Sequence, residues 1–169
     1  MGWLAVLSVG TSFIALFVDE SVAMINKYKL SKRDLYLFWV LSSMLFAALA
    51  QSCIKYISAM ASGSGIPQIR ATMSGVMLPN LLTFRTLISK VFGMIFMLSS
   101  GLSLGKEGPF VHIAGCVAET LPYQEKKVNK IIRHQFLTAA VAVGVAATFG
   151  APIGGMLFAI EVSTSSFSV

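Results

Sequence analysis

Two short tracts in this chain combine residue types that could hold an anion: Gly63-Ser64-Gly65-Ile66-Pro67 and Gly105-Lys106-Glu107-Gly108-Pro109. In each, glycines precede a proline at a place where a helix could begin. Glycine lets the backbone turn sharply, and proline near a helix start gives up an N–H that has no intrahelical partner anyway. The remaining N–H groups and the positive end of the helix dipole then face whatever lies ahead. In water such an end is an ordinary cap. Inside a membrane it is a place to hold an anion.

The magnitudes decide how many donors such a site needs. Burying an isolated ion costs on the order of tens of kcal/mol, whereas a helix dipole returns about 0.3–1 kcal/mol, rising to ~2 when partly buried. Several direct donors must therefore act together. Ser64 offers a hydroxyl, Gly65 and Ile66 offer unhindered N–H groups, and the second tract adds its own, with Gly108 and Pro109 in the same anion-binding set. Gly63, Pro67, Gly105 and Lys106 flank it. No cationic side chain has to sit on the ion, which suits a site that must also release it.

Glu107 admits two readings. A carboxylate inside a membrane segment is costly and by default functional. At a helix start it could occupy the anion's own place when charged and clear the path when protonated or swung away. Equally, it could cap a helix near the interface, paired with Lys106.

The elements that must position these residues follow from composition. Of 169 residues, 56% are hydrophobic and 12% charged, with only 7 acidic side chains; an ordinary soluble domain carries about 25% charged residues. A water-facing surface cannot be built from that supply, and the long continuous apolar runs indicate an all-α, multi-pass membrane protein and not a barrel. The net charge of +6 is gathered in loops, which argues against nucleic-acid binding. Cys53 and Cys116 read as small buried hydrophobes, with no second ligand at metal spacing. The opening apolar run is long and has no small-residue cleavage site, unlike a removable signal peptide.

Along the chain, membrane-length segments are expected over residues 3–25 and 35–57, with Asp34 at the start of the second. A tract of small residues, 58–65, leads to a helix of about ten residues beginning at Ile66 or Pro67, too short to span. Pro79-Asn80 marks a break. A helix over 83–104 follows, then the 105–109 interruption and a helix to 121. Residues 122–133 read as a polar linker. A small-residue helix from 135 packs through Ala139, Val143 and Ala147, ends at Phe149-Gly150-Ala151-Pro152, and precedes a last helix over 153–162 that turns at Ser163. Short apolar segments interrupted by Gly and Pro point to a binding site near the membrane midplane.

With these residues assembled, the chain resembles the CLC family of chloride channels and chloride/proton exchangers. The resemblance is carried by the two tracts above and by Phe149-Gly150-Ala151-Pro152 followed by Leu157-Phe158-Ala159-Ile160-Glu161-Val162. It implies tilted, broken helices forming the first of two inverted halves over residues 1–169, with Ser64 and neighbouring amides in an anion filter. Glu107 would be the gating glutamate, chloride the permeant ion with no other cofactor, and the assembled protein a homodimer in a lipid bilayer. The helix over 153–162 would lie toward the subunit interface. The second-half Gly-x-Phe-x-Pro tract, the pore-lining tyrosine and the cytoplasmic CBS modules have no counterpart here, so a fragment of a longer protein is expected.

In the proton-coupled branch an internal glutamate follows the position equivalent to Glu161. Val162 stands there and cannot carry a proton, which favours a passive channel closer to the channel branch. Gln68 replaces a common glutamate but occurs in some exchangers too. Chloride/proton antiport stays open, as does a non-conducting fragment. An enzyme using Glu107 and His112 lacks a nucleophile or metal set. Ser64, where proline would suggest nitrate, fits chloride. The basic stretch Lys27, Lys29, Lys32 and Arg33 favours the cytoplasm by the positive-inside tendency, whereas family topology implies the outside. Plasma and organelle membranes are both open.

Overall fold

The computed structural model describes residues 2–32, 35–76, 78–121 and 130–164. Among these residues seven α-helices carry the fold: α1 (Gly2–Ser31), α2 (Tyr36–Tyr56), α3 (Ile66–Met73), α4 (Phe84–Ser99), α5 (Glu107–Thr120), α6 (Lys130–Phe149) and α7 (Pro152–Thr164), with one 3-10 turn at Ala59–Ala61. Among the described residues α1, α2 and the 132–149 part of α6 are long and apolar enough to cross a membrane. The first helix runs six residues past its expected end. Lysine is a good helix former, and Lys29 is 4% exposed, so the helix outlasts the apolar run. That burial also takes one of the four basic side chains of the stretch whose sidedness was in question out of solvent. Asp34 and Arg33 lie outside the described residues.

The fourth helix ends at Ser99, five residues early. The Ser100 hydroxyl donates to Met97 O (2.6 Å), and Gly101 at φ 88° takes the left-handed turn that closes helices. Thr83 caps its start, accepting from the Thr86 N–H. Residues 130–133, expected in the linker, are the first turn of α6; residues 122–129 lie outside the described set. The last helix continues through Ser163 and Thr164 instead of turning there, and 165–169 are outside that set.

The fifth helix is the centre. From Phe110 to Cys116 every residue is buried, enclosed by α1, α3, α4 and α6. Such enclosure requires a close backbone approach, and Gly144 of α6 supplies it. A Cβ there would meet Val111 Cα at 2.8 Å and Phe110 O at 3.0 Å. The fully buried stripe of α6 runs through Leu137, Ala140, Val141, Gly144 and Val145. Ala139, Val143 and Ala147, expected on that face, are only partly buried, because the contact follows the glycine and not the alanines. The second helix buries only Ala50 and is held to α4 by the Ser89 hydroxyl donating to Cys53 O (2.9 Å). Its outer face of Leu37, Leu41, Met44 and Leu45 is exposed, as a lipid-facing surface requires.

Candidate anion site at two helix starts

The first break is shaped by backbone conformation. Gly63 and Gly65 sit at φ 72° and 84°, a region side-chain-bearing residues rarely enter, and Gly65 is the N-cap of α3. Pro67 lies in the first turn. Behind this loop stands Lys90 of α4, 5% exposed. Its ammonium donates to Ala61 O (2.8 Å) and to Gly63 O. A planar trans peptide sets its N–H opposite its C=O. With Gly63 O turned to Lys90, the Ser64 N–H points away from it.

Donors at this break are fewer than expected. The Ile66 N–H is already given to Ser64 Oγ (3.2 Å), so it is not freely available to an ion. The Ser64 and Gly65 N–H groups have no acceptor among the described residues. Ser64 Oγ, while accepting from Ile66, keeps its own O–H to donate.

The second break differs in where its helix begins. The fifth helix starts at Glu107, inside the tract, with Lys106 as N-cap. Glu107 and Gly108 therefore carry first-turn N–H groups without helical partners, whereas Pro109 has none to offer and only lines the space. The Glu107 side chain is partly buried. Its Oε2 folds back over Gly105, where any Cβ would collide with it. No hydrogen bond or ion pair engages this carboxylate among the described residues. Lys106 does not pair with it: the ammonium binds both carboxylate oxygens of Asp19 on α1, at 2.8 and 2.9 Å.

The two breaks touch. A Cβ on Gly108 would lie 2.6 Å from Ser64 Cβ and 2.8 Å from Ser64 Oγ. A Cβ on Gly65 would lie 2.5 Å from both Cβ and Nδ1 of His112. Gly108 thus admits the Ser64 side chain of the first break, and Gly65 admits His112 from within α5. A cavity of about 350 Å³ opens along this seam, lined by Gly63, Ser64, Lys90, Gly105 and Pro109 together with apolar residues such as Met94.

Three contributors were not assigned to the anion site from the sequence. Lys90 was legible as a charge inside an apolar run, a signal that by default is functional. Asp19 was legible only as an acid late in the first expected span, 3–25. His112, fully buried on α5, bonds Leu81 O through Nε2 (3.1 Å) while Nδ1, against Gly65, has no partner. Its two ring nitrogens are directed at Leu81 and Gly65, so it forms no acid–base pair with Glu107. Val162 lies elsewhere, 4% exposed in the core on α7.

Comparison with known proteins locates this geometry. A family model described as voltage gated chloride channel matches residues 46–169. Chloride channel protein E of Dictyostelium discoideum is 44% identical over 128 residues, covering 73% of this chain and 13% of that protein. The H(+)/Cl(-) exchange transporter 5 of Oryctolagus cuniculus is 45% identical over 128 residues, covering 75% of this chain and 16% of its own. A crystal structure of a eukaryotic CLC transporter superposes with a TM-score of 0.89 at 33% identity, over 98% of this chain and 33% of that one. The chain spans only a small part of the length of the relatives it matches.

Proposed function

From a chain that belongs to the voltage-gated chloride channel family, in its N-terminal half, we propose the anion-holding part of a gated, passive chloride pathway through a membrane. One observation carries this reading: Ser64 rests on Gly108, so two helix starts converge on one cavity. Donors from both breaks can then share one ion: the Ser64 and Gly65 N–H groups, the Ser64 hydroxyl, and the first-turn amides at Glu107 and Gly108. Five moderate donors replace water without a cation in direct contact, and the ion can still leave.

Glu107 is the gate in this reading. Its carboxylate is an anion tethered at the same amides and unclaimed by any neighbour among the described residues, so it competes with chloride when charged. Protonation or displacement removes the competitor. The expected result for Glu107→Gln in the full-length protein is chloride current with its voltage and pH dependence largely lost. Unchanged gating would overturn the assignment.

Val162 supports passive conduction over proton coupling, since valine offers no titratable group at the internal position. Chloride/proton antiport is the second reading, favoured by the similarity to a relative named as an exchanger. Chloride-driven proton uptake by reconstituted vesicles would decide for it. A homodimer in a plasma or organelle membrane, with the α7 face toward the partner subunit, completes the proposal. That face exposes Ile153, Met156, Leu157 and Ile160. No catalytic role is assigned.

A further inference from the structure

The segment 100–106 leads from the end of α4 to Glu107, and residues 101–105 are all exposed. Its own backbone bonds are sparse: Ser100 and Gly101 close the preceding turn, and the Leu104 N–H reaches Leu102 O (2.9 Å). Both ends of the segment are nevertheless tied to one helix, α1. At the start, the buried Lys29 ammonium donates to Ser99 O (2.9 Å), Ser100 O (3.4 Å) and Ser43 Oγ (2.9 Å), between the Trp39 and Phe46 rings of α2. Three donors meet three acceptors at the negative end of α4, where a cation is favoured. At the finish, Asp19 takes the Lys106 ammonium on both oxygens. Asp19 and Lys29 are ten residues apart, about 15 Å along the helix. The family model begins at residue 46, so α1 lies outside the matched region.

We infer that α1 is the strap that positions the gate, with Asp19 and Lys29 as positioning residues that hold the two ends of segment 100–106. The inference rests on Glu107 being the gate. Its physical content is twofold. The segment before Glu107 is held at its two ends, at the Ser99 and Ser100 carbonyls and at the Lys106 ammonium. Asp19 also keeps the Lys106 charge turned toward α1. Released, that ammonium would be the nearest cation in sequence to Glu107 and would draw the carboxylate off the amides.

The test is channel recording on the full-length protein. Asp19→Asn raises the open-to-closed ratio about two- to fivefold, the size of a partly exposed ion pair, while Asp19→Glu stays near wild type. In a Lys106→Met background Asp19→Asn does nothing, because no ammonium is left to release. An effect of equal size in that background, or none in either, overturns the strap. Lys29→Met alters opening and closing rates with unitary conductance unchanged. Should it fail to reach the membrane, Ser43→Ala removes one acceptor and alters the same rates by less; unchanged rates would refute the Lys29 end. Glu107→Gln is run alongside. If it leaves gating intact, the gate assignment fails and the strap with it. If it abolishes gating while Asp19→Asn is silent, the strap alone fails.

Discussion

The two breaks share a glycine-rich start and a proline in the first turn, yet they are held differently. Around Ser64 the backbone is braced from behind: a buried ammonium takes Ala61 O and Gly63 O, and the serine oxygen takes the Ile66 N–H. Around Glu107 the neighbours are tied down, Lys106 to Asp19, while the carboxylate itself is bonded to nothing among the described residues. One break is a preset cradle and the other presents a side chain able to move. A site that must both hold and release an ion needs both kinds of support.

That contrast is open to attack at points of decreasing force. The glycine seam is the most sensitive. Gly108→Ala places a Cβ 2.6 Å from Ser64 Cβ, and Gly65→Ala places one 2.5 Å from His112 Cβ at a φ of 84°. Overpacking costs about 1–3 kcal/mol at either glycine, and at Gly65 the strained φ adds about 1–3 more, so chloride flux should fall by up to roughly a hundredfold for Gly108→Ala and further for Gly65→Ala. Near-normal flux from either variant would separate the two breaks.

Lys90→Met comes next. It leaves two inward-facing carbonyls without their donor, at about 1–3 kcal/mol each, and removes a positive charge beside the cavity. Isothermal titration of the purified protein should show chloride affinity reduced by roughly ten- to a hundredfold, with Lys90→Arg intermediate. If the affinity were unaltered, the first loop would need no brace.

Ser64→Ala should do least. It removes one donor of several and frees the Ile66 N–H, which can turn to the ion in compensation. A single hydrogen bond to a charged group contributes about 1.5–3 kcal/mol, so with that partial replacement the same titration should show weakening of about tenfold or less. A loss as large as that of Gly108→Ala would mean the hydroxyl, and not the amides, carries the ion.

Much of the fold was readable because apolar length and glycine–proline punctuation act locally. The second helix matched its expected bounds within one residue at each end, and α3 began at Ile66 as its glycine and proline require. Ends set by distant partners were not readable. The start of α6 at Lys130 and the end of α4 at Ser99 departed from expectation, the latter where Lys29, seventy residues earlier, takes its last carbonyls. At the site, Ser64, Gly65, Glu107 and Gly108 were legible from residue type. The prior engagement of Ile66 was not, nor was the departure of Lys106 to Asp19, since both depend on side-chain directions.

By itself the amino-acid order determined that this chain belongs in lipid, that its helices break at 63–67 and 105–109, and that a carboxylate stands at the second break. Those properties follow from solvation and from φ preferences that each residue carries alone. Which breaks meet, which lysine braces which carbonyl, and which acid leaves Glu107 unpartnered were decided only by packing. Contacts such as Gly108 on Ser64 or Lys106 with Asp19 join residues 44 and 87 positions apart, and no local preference encodes them.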